Sequence, residues 1–389
     1  MAEGSFTEVT TTSWFSRIKS AFVGILIGLL LIPGSSALMF WNEGRAVQTA
    51  QSLAEGAGAV VSAPVDRIDS ALEGRLVHLT APMRVSAPLT DAEFGVTAHD
   101  ALRLVRRAEM YQWREETRTE THDRLGGGQE TVTTYNYTLG WASQPIDSSQ
   151  FRQPRGRGNP PMRHRGQEVV ARDAQLGPFA LTGEQLAGFG RARPFPLDPA
   201  AMQVPAGGQV VEGQVFLGAN PSSPQLGDMR ISFSVVPAET ASVIARQAGQ
   251  GLAPYQTRAG DALFILRAAA ATAPEMIAAA EASNAVLTWV LRGVGVVLMF
   301  VGFSMVLKPL VVLAAVVPLF GSLMAFGTGL VSGVLTLVLA PVVVAVAWFW
   351  YRPLTAVLVL VVGFAAAYGL TRLRKGRRAT QPLKPATPG

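Results

Sequence analysis

The chain predicts an integral membrane protein with four α-helical spans, one N-terminal and three C-terminal. A large, strand-rich α+β soluble domain is inserted between the first and second. Three observations lead there. Residues 20–41 carry no charge, residues 282–389 contain no Asp or Glu, and 309–351 form one uncharged run of 43 residues. About 20 helical residues cross a hydrocarbon core of roughly 30 Å, and in lipid the backbone must bond to itself, so such runs are read as helices. The charged fraction of 15% therefore averages two materials, a polar insert and nearly uncharged spans.

The elements follow in order. Residues 1–19 are expected as a cytoplasmic N-terminus and 20–41 as the first span. The stretch 22–32, followed by Pro33-Gly34-Ser35-Ser36-Ala37, also has the form of a cleavable signal peptide. The uncharged run continues to Trp41, a residue type common at membrane interfaces, and this favours an uncleaved anchor. Residues 42–285 are the extracytoplasmic domain, large enough to bury its own core. In it, 42–61 reads as a helix ended by Pro64, since Ala46, Ala50, Leu53 and Ala57 recur at helical spacing.

Strand periodicity takes over beyond it. Tyr135, Tyr137, Leu139 and Trp141 alternate with polar residues, as do Met229, Ile231, Phe233 and Val235. Residues 102–113 are expected to pair with 131–141 in a long hairpin tipped by Gly126-Gly127-Gly128. Further strands are expected at 75–79, 209–217, 241–246 and 261–267, and a short helix at 182–189 capped by Thr182. The segments Glu73-Gly74-Arg75-Leu76-Val77 and Glu212-Gly213-Gln214-Val215-Phe216 form a weak internal echo. Pro274 opens a last helix, 275–285, that feeds the second span.

The second span is placed at 286–307, an interfacial connector at 308–322, the third span at 323–350 and the fourth at 354–370. A basic, disordered cytoplasmic tail completes the chain at 371–389. A fifth span at 308–322 is the rival reading, opposed by Lys308, Pro309 and Pro318. Orientation follows from basic residues. Arg17 and Lys19 precede the first span, Lys308 follows the second, and Arg372, Arg374, Lys375, Arg377 and Arg378 follow the fourth. With four spans all three places fall on the cytoplasmic side. The insert carries a net −3 and residues 286–389 a net +9, so the overall +6 belongs to membrane anchoring and not to a nucleic-acid partner.

The residues that could carry chemistry are few. There is no Cys, which removes thiol nucleophiles, disulfides and Cys-ligated metals. The histidines His78, His99, His122 and His164 show no metal-ligand spacing, and no phosphate loop or nucleophile elbow occurs. Glu115 and Glu116 are adjacent on a strand and point to opposite faces. The reading is therefore of a protein that is not an enzyme and holds no cofactor or metal. The loop residues Arg152, Arg155, Arg157, Arg163 and Arg165, with no acid among them, fit an anionic lipid or acidic partner, or a solvated loop. Arg292 is an intramembrane charge, read as snorkelling to the nearby interface. Gly24 and Gly28, and Ala325, Gly329 and Gly333, form small-residue faces suited to close helix packing.

Several motifs resemble those of the transmembrane protein 43 (LUMA) family, nearly end to end. They include Asn42-Glu43-Gly44-Arg45-Ala46, Glu73-Gly74-Arg75-Leu76-Val77-His78 and Glu109-Met110-Tyr111-Gln112-Trp113. Asn159-Pro160, Gly227-Asp228-Met229-Arg230-Ile231-Ser232-Phe233 and Val243-Ile244-Ala245-Arg246-Gln247 follow. Ser283-Asn284, Thr288-Trp289, Leu291-Arg292 and Tyr351-Arg352-Pro353-Leu354 complete the series. The resemblance implies four spans with the large insert after the first. It also implies a structural role at the endoplasmic reticulum and inner nuclear membrane, self-association, and no enzymatic activity. The Arg- and Ala-rich, Cys-free composition points to a bacterial member, for which the site is the cytoplasmic membrane. The expected function is a scaffold that organises membrane complexes, its partners being the bilayer, other membrane proteins and further copies of itself. An intramembrane chaperone and a lipid or solute transporter are the alternatives.

Overall fold

The computed structural model describes residues 4–354, 357, 358 and 361. These divide into two compact units. One joins the residues up to Trp14 with Gln51–Ala282, and the other joins Phe15–Ala50 with the residues from Ser283 on.

The first unit holds two sheets. Its chain begins with β1 (Ser5–Thr12) and re-enters from the end of helix α1 (Trp14–Ala59) through β2 (Val61–Ser62). There follow β3 (Leu76–Val85), β4 (Leu89–Asp91), β5 (Val96–Ala98), β6 (Ala101–Asp123) and β7 (Gln129–Ala142). Next come β8 (Gln167–Val170), β9 (Asp173–Leu176), β10 (Phe179–Thr182), the single-turn helix α2 (Gly183–Leu186) and β11 (Arg193–Pro194). The unit ends with β12 (Gly208–Val211), β13 (Gln214–Leu217), β14 (Met229–Pro237), β15 (Thr240–Ala248), β16 (Gly251–Ala253), β17 (Tyr255–Gln256), β18 (Ala262–Leu263) and β19 (Ile265–Arg267).

One sheet runs β1-β7-β6-β14-β13-β12, with β8 also on β6 and β11 on β14. The other runs β19-β15-β16-β10-β9-β3-β2, with β15 also paired to β3. Alternation decides which face is buried. Leu104, Ala108 and Met110 of β6 share a core with Val215, Met229, Ile231 and Phe94. In the second sheet Val77, Leu79, Phe179, Leu181, Val243 and Ala245 form another.

The expected hairpin is β6–β7, in continuous register from Met110↔Ala142 to Asp123↔Gln129, but of the expected 102–113 only 110–113 pair with β7, and the rest lies against β14. Gly126 and Gly127 take positive φ at its tip, where a side chain would be strained. Arg114–Glu116, Arg118–Glu120 and Arg124–Glu130 pairs line its outer half. The run expected as one strand at 209–217 is instead the hairpin β12–β13. Glu212 and Gly213 both have positive φ, the backbone of a two-residue turn whose twist matches the strands. The two Glu-Gly segments of the internal echo precede strands of different sheets, β3 and β13.

The N-terminal segment departs furthest from expectation. No strand is expected within residues 1–19, yet residues 5–12 form the edge strand β1, antiparallel to β7 from Ser5↔Asn136 to Thr12↔Gln129. Its Thr, Phe and Val are strand formers, but the segment is short and has little apolar alternation, so the period that reveals a half-buried strand is missing.

The second unit contains residues 15–50 of α1, most of α3 (Ala273–Ala314) and α4 (Pro318–Tyr351). Each of the three helices is long and apolar enough to cross a membrane. α1 runs unbroken through Pro33, whose missing N–H leaves a carbonyl one turn back without its helical donor. α3 likewise continues through Lys308 and Pro309, which the sequence suggested as the end of a span at 307. One lost backbone bond does not stop a helix whose other groups have no alternative partner in apolar surroundings. The expected connector 308–322 is thus divided between two helix ends, with only residues 315–317 between them, and Pro318 opens α4 where no N–H is needed. The fourth expected span, 354–370, falls almost wholly outside the described residues. So do the tail 371–389 and with it Arg372, Arg374, Lys375, Arg377 and Arg378.

Candidate functional site

The polar residues of the helical unit converge on one place. On α1, Asn42, Glu43 and Arg45 lie just beyond the uncharged run. On α3, Asn284, Thr288 and Arg292 recur every four residues and so share one face. On α4, Trp348 and Tyr351 are one turn apart.

Glu43, only 3% exposed, receives both Nε (2.6 Å) and Nη2 (2.8 Å) of Arg292 in a two-pronged pair. Trp348 Nε1 donates to the same carboxylate at 2.9 Å. The Arg292 guanidinium also lies over the Trp289 ring, 4.6 Å from its centre. One turn along, Arg45 donates to Asn284 Oδ1 at 2.9 Å and Thr288 Oγ1 at 3.0 Å. Asn42 donates to the Thr288 carbonyl at 3.1 Å, and Asn284 to the Ala46 carbonyl at 3.0 Å. Gly44 makes room for Tyr351, because a Cβ there would stand 2.6 Å from its ring. Phe40 packs on the same ring, centroids 5.2 Å apart. The result is a polar clasp that ties α1 to α3 and α4.

This corrects the reading of Arg292. It does not snorkel; it pairs with a buried carboxylate from a residue 249 positions away. Glu43 was missed because it stands two residues past the first uncharged run. Deeper in the bundle Gly28 meets the Gly302 carbonyl, and a Cβ would come within 2.6 Å of it. Gly24 faces Met305 at 3.8 Å. Gly329 and Gly333 differ, since a Cβ at either meets nothing within 4 Å, and Ala325 is exposed. Arg17 is half-buried and Lys19 exposed near the start of α1.

The arginine loop is fastened to the hairpin. Arg157 stacks over Tyr137, 4.1 Å from the ring centre, and Arg152 pairs with Glu8. Tyr137 is fully buried and donates to Glu115 at 2.7 Å, while the backbone N–H of Gln153 and Arg152 donate to Tyr137 and Glu115 respectively. Burial, and then the bond to Glu115, raise the Tyr137 hydroxyl above its ordinary pKa. Arg155, Arg163 and Arg165 remain exposed. Nearby, Arg106 joins Asp91 at 2.9 Å and also pairs with Glu93, which bonds His164. Burial alone would raise Glu93, but the His164 hydrogen bond and the Arg106 charge outweigh it and hold the carboxyl below its usual range.

These clusters contain no nucleophile poised against a base. A surface groove of about 690 Å³ is lined by Arg107, Glu212, Gln214, Ser232 and Ser234, residues of strand faces and turns. Among the described residues no group of three His, Asp or Glu stands close enough to hold a metal ion. His78 is a clip, bonded through Nε2 to the Ala271 carbonyl at 2.8 Å.

The family is decided by comparison with known proteins. The sequence model described as transmembrane protein 43 matches residues 110–353. The rat protein named transmembrane protein 43 is 34% identical over 362 residues, covering 89% of this chain and 88% of its own. The human protein of that name is 34% identical over 363 residues, 89% of each chain. The chain belongs to the transmembrane protein 43 family. A Drosophila melanogaster homolog is 29% identical over 363 residues, covering 91% of this chain and 96% of its own. No solved structure matches. The protein is thus an integral membrane member of that family. In its membrane half, the motifs that carried the resemblance are the ones that meet in the clasp: Asn42-Glu43-Gly44-Arg45, Ser283-Asn284, Thr288-Trp289 and Leu291-Arg292, with Tyr351 of the next motif beside them.

Proposed function

We propose that this protein is a non-enzymatic membrane scaffold: a rigid helical anchor that presents a large strand-rich domain to other membrane components. The clasp carries this reading. It places the bundle's strongest interactions in holding helices together, with Glu43 and Arg292 spent on each other and not on a ligand. Four spans, a cytoplasmic N-terminus and an extracytoplasmic insert complete the proposed topology. The exposed Arg155, Arg163 and Arg165 offer a contact for an acidic partner or anionic headgroups. The membrane is the cytoplasmic one in a bacterium, or the endoplasmic reticulum and inner nuclear membrane in a eukaryote.

Cross-linking in native membranes followed by mild-detergent purification tests the role. A scaffold gives partners in fixed stoichiometry that are lost together in Glu43→Gln. Many substoichiometric clients would refute it in favour of an intramembrane chaperone, and solute flux into proteoliposomes would refute it in favour of transport.

A further inference from the structure

The pairing of β1 with β7 conflicts with a crossing by α1, and the conflict points to an interaction surface. Only Ser13 separates β1 from α1, and Trp14 to Lys19 is already helix. If the uncharged run 20–41 crosses a bilayer, residues 5–12 lie on one side and residues from 42 on the other. The six helical residues from Trp14 to Lys19 cannot return across a core of about 30 Å at about 1.5 Å per residue. Nor can the hairpin come to meet them. Its outer half carries Arg114, Glu115, Glu116, Arg118, Glu120, Asp123, Arg124 and Glu130, and an open-edged, charged hairpin does not pass through lipid. A docked β1 and a crossing α1 therefore exclude each other in one chain.

We infer that β1 leaves β7 when α1 crosses the bilayer, and that the edge it vacates, residues 129–137, is a seam for the β7 of a second copy. This rests on the proposed topology. The edge accepts an antiparallel strand over eight registered pairs, so its backbone is set for such a partner. A vacated edge of that length, without proline or lysine, does not stay open. The partner's β1 cannot fill it, since it too would lie across the bilayer. A second β7 can. Two identical antiparallel strands pair about a residue, because outward-facing groups must meet their own kind. Centred on Thr133, the pairs are Val132 with Thr134, Thr131 with Tyr135, Glu130 with Asn136 and Gln129 with Tyr137. No like charges oppose each other and β-forming side chains do.

The chain's lack of cysteine makes the test direct. In native membranes, Thr133→Cys is treated with a short bismaleimide, with Thr119→Cys on the neighbouring strand as control. Thr7→Cys/Thr134→Cys probes the docked arrangement within one chain, and an impermeant maleimide reports the side on which Thr7→Cys lies. The inference expects a covalent dimer from Thr133→Cys, at least several-fold above that from Thr119→Cys. It also expects no Thr7–Thr134 link and Thr7→Cys labelled from the side opposite Thr119→Cys. A Thr7–Thr134 link in the membrane, or labelling of both from one side, overturns the crossing itself. Labelling from opposite sides with Thr133→Cys no more dimeric than the control leaves the crossing and overturns the seam.

Discussion

Glu43→Gln is the sharpest perturbation of the clasp. The substitution keeps the shape and removes the charge. Glu43 is buried, and the side chain of Arg292 retains 16% exposure, so the guanidinium left behind has lost its counter-charge with little water to replace it. Breaking a buried pair by neutralising one partner costs about 3–5 kcal/mol, because the remaining charge is stranded. The amide oxygen still accepts one bond, and the stacking of Arg292 on Trp289 survives. The loss is therefore expected near the lower end, about 3 kcal/mol. Replacing both partners in Glu43→Leu/Arg292→Met removes the stranded charge as well, and should recover most of the stability or exceed it. The assay is reversible unfolding of the purified protein in mixed micelles, titrated with a denaturing detergent and followed by Trp fluorescence. A Glu43→Gln loss below about 0.5 kcal/mol, the range of ordinary exposed substitutions, would refute the clasp. So would a double variant as unstable as the sum of its singles.

Other outcomes follow from the same geometry. Gly28→Ala should cost about 1–3 kcal/mol by overpacking against the Gly302 carbonyl, while Gly333→Ala should be neutral or stabilising by up to about 1 kcal/mol from helix propensity; detergent titration of the pair reads the contrast. Tyr137→Phe should cost about 1–3 kcal/mol by leaving the buried side of Glu115 and the Gln153 N–H unpaired, seen as faster protease cleavage between Arg152 and Arg165. The Glu93 carboxyl is depressed in the folded state, so its contribution is present above the ordinary carboxylate range and lost as pH falls through its lowered value. The insert's unfolding midpoint should therefore drop on acidification below that range, and Glu93→Gln should flatten the drop.

The large divisions of the fold were readable because they rest on composition and period. Uncharged runs announce helices, and alternation announced β6, β7 and β14 and the long hairpin, although most of 102–113 pairs with β14 and it is 110–123 that meets β7. Ends were readable only where chemistry is unambiguous. Pro309 signals a stop in water, but a long apolar helix carries it. Glu212-Gly213 hid inside an apparently continuous strand, since a two-residue turn is too short to break the period. β1 was invisible because an edge strand needs only backbone pairing. The clasp was half visible: Arg292 drew attention as a lone charge, but its partner lay outside the run that defined the span. Nothing in one sequence links positions 43 and 292, and only their meeting in space turns a costly charge into a fastening.

That meeting has a physical logic specific to membranes. Lipid tails are as apolar as leucine, so burial of Leu, Val and Phe does not choose one arrangement of spans over another. The outward faces of these helices, including Leu26, Leu30, Val297, Leu337 and Phe349, would be equally at home in several registers. Small residues permit close approach, as at Gly28 and Gly302, but a one-turn slip can still set Gly302 beside Gly24. A charge pair has no such alternative. A one-turn slip of α3 moves Arg292 by about 5.4 Å and strands Glu43, at a cost of several kcal/mol. The clasp thus acts mainly by excluding wrong registers, and swapping Glu43→Arg with Arg292→Glu should keep the register while either single reversal loses it. A cysteine pair placed at Gly24 and Met305 would report this: it should cross-link in the wild-type background and the swap, and fail in each single reversal.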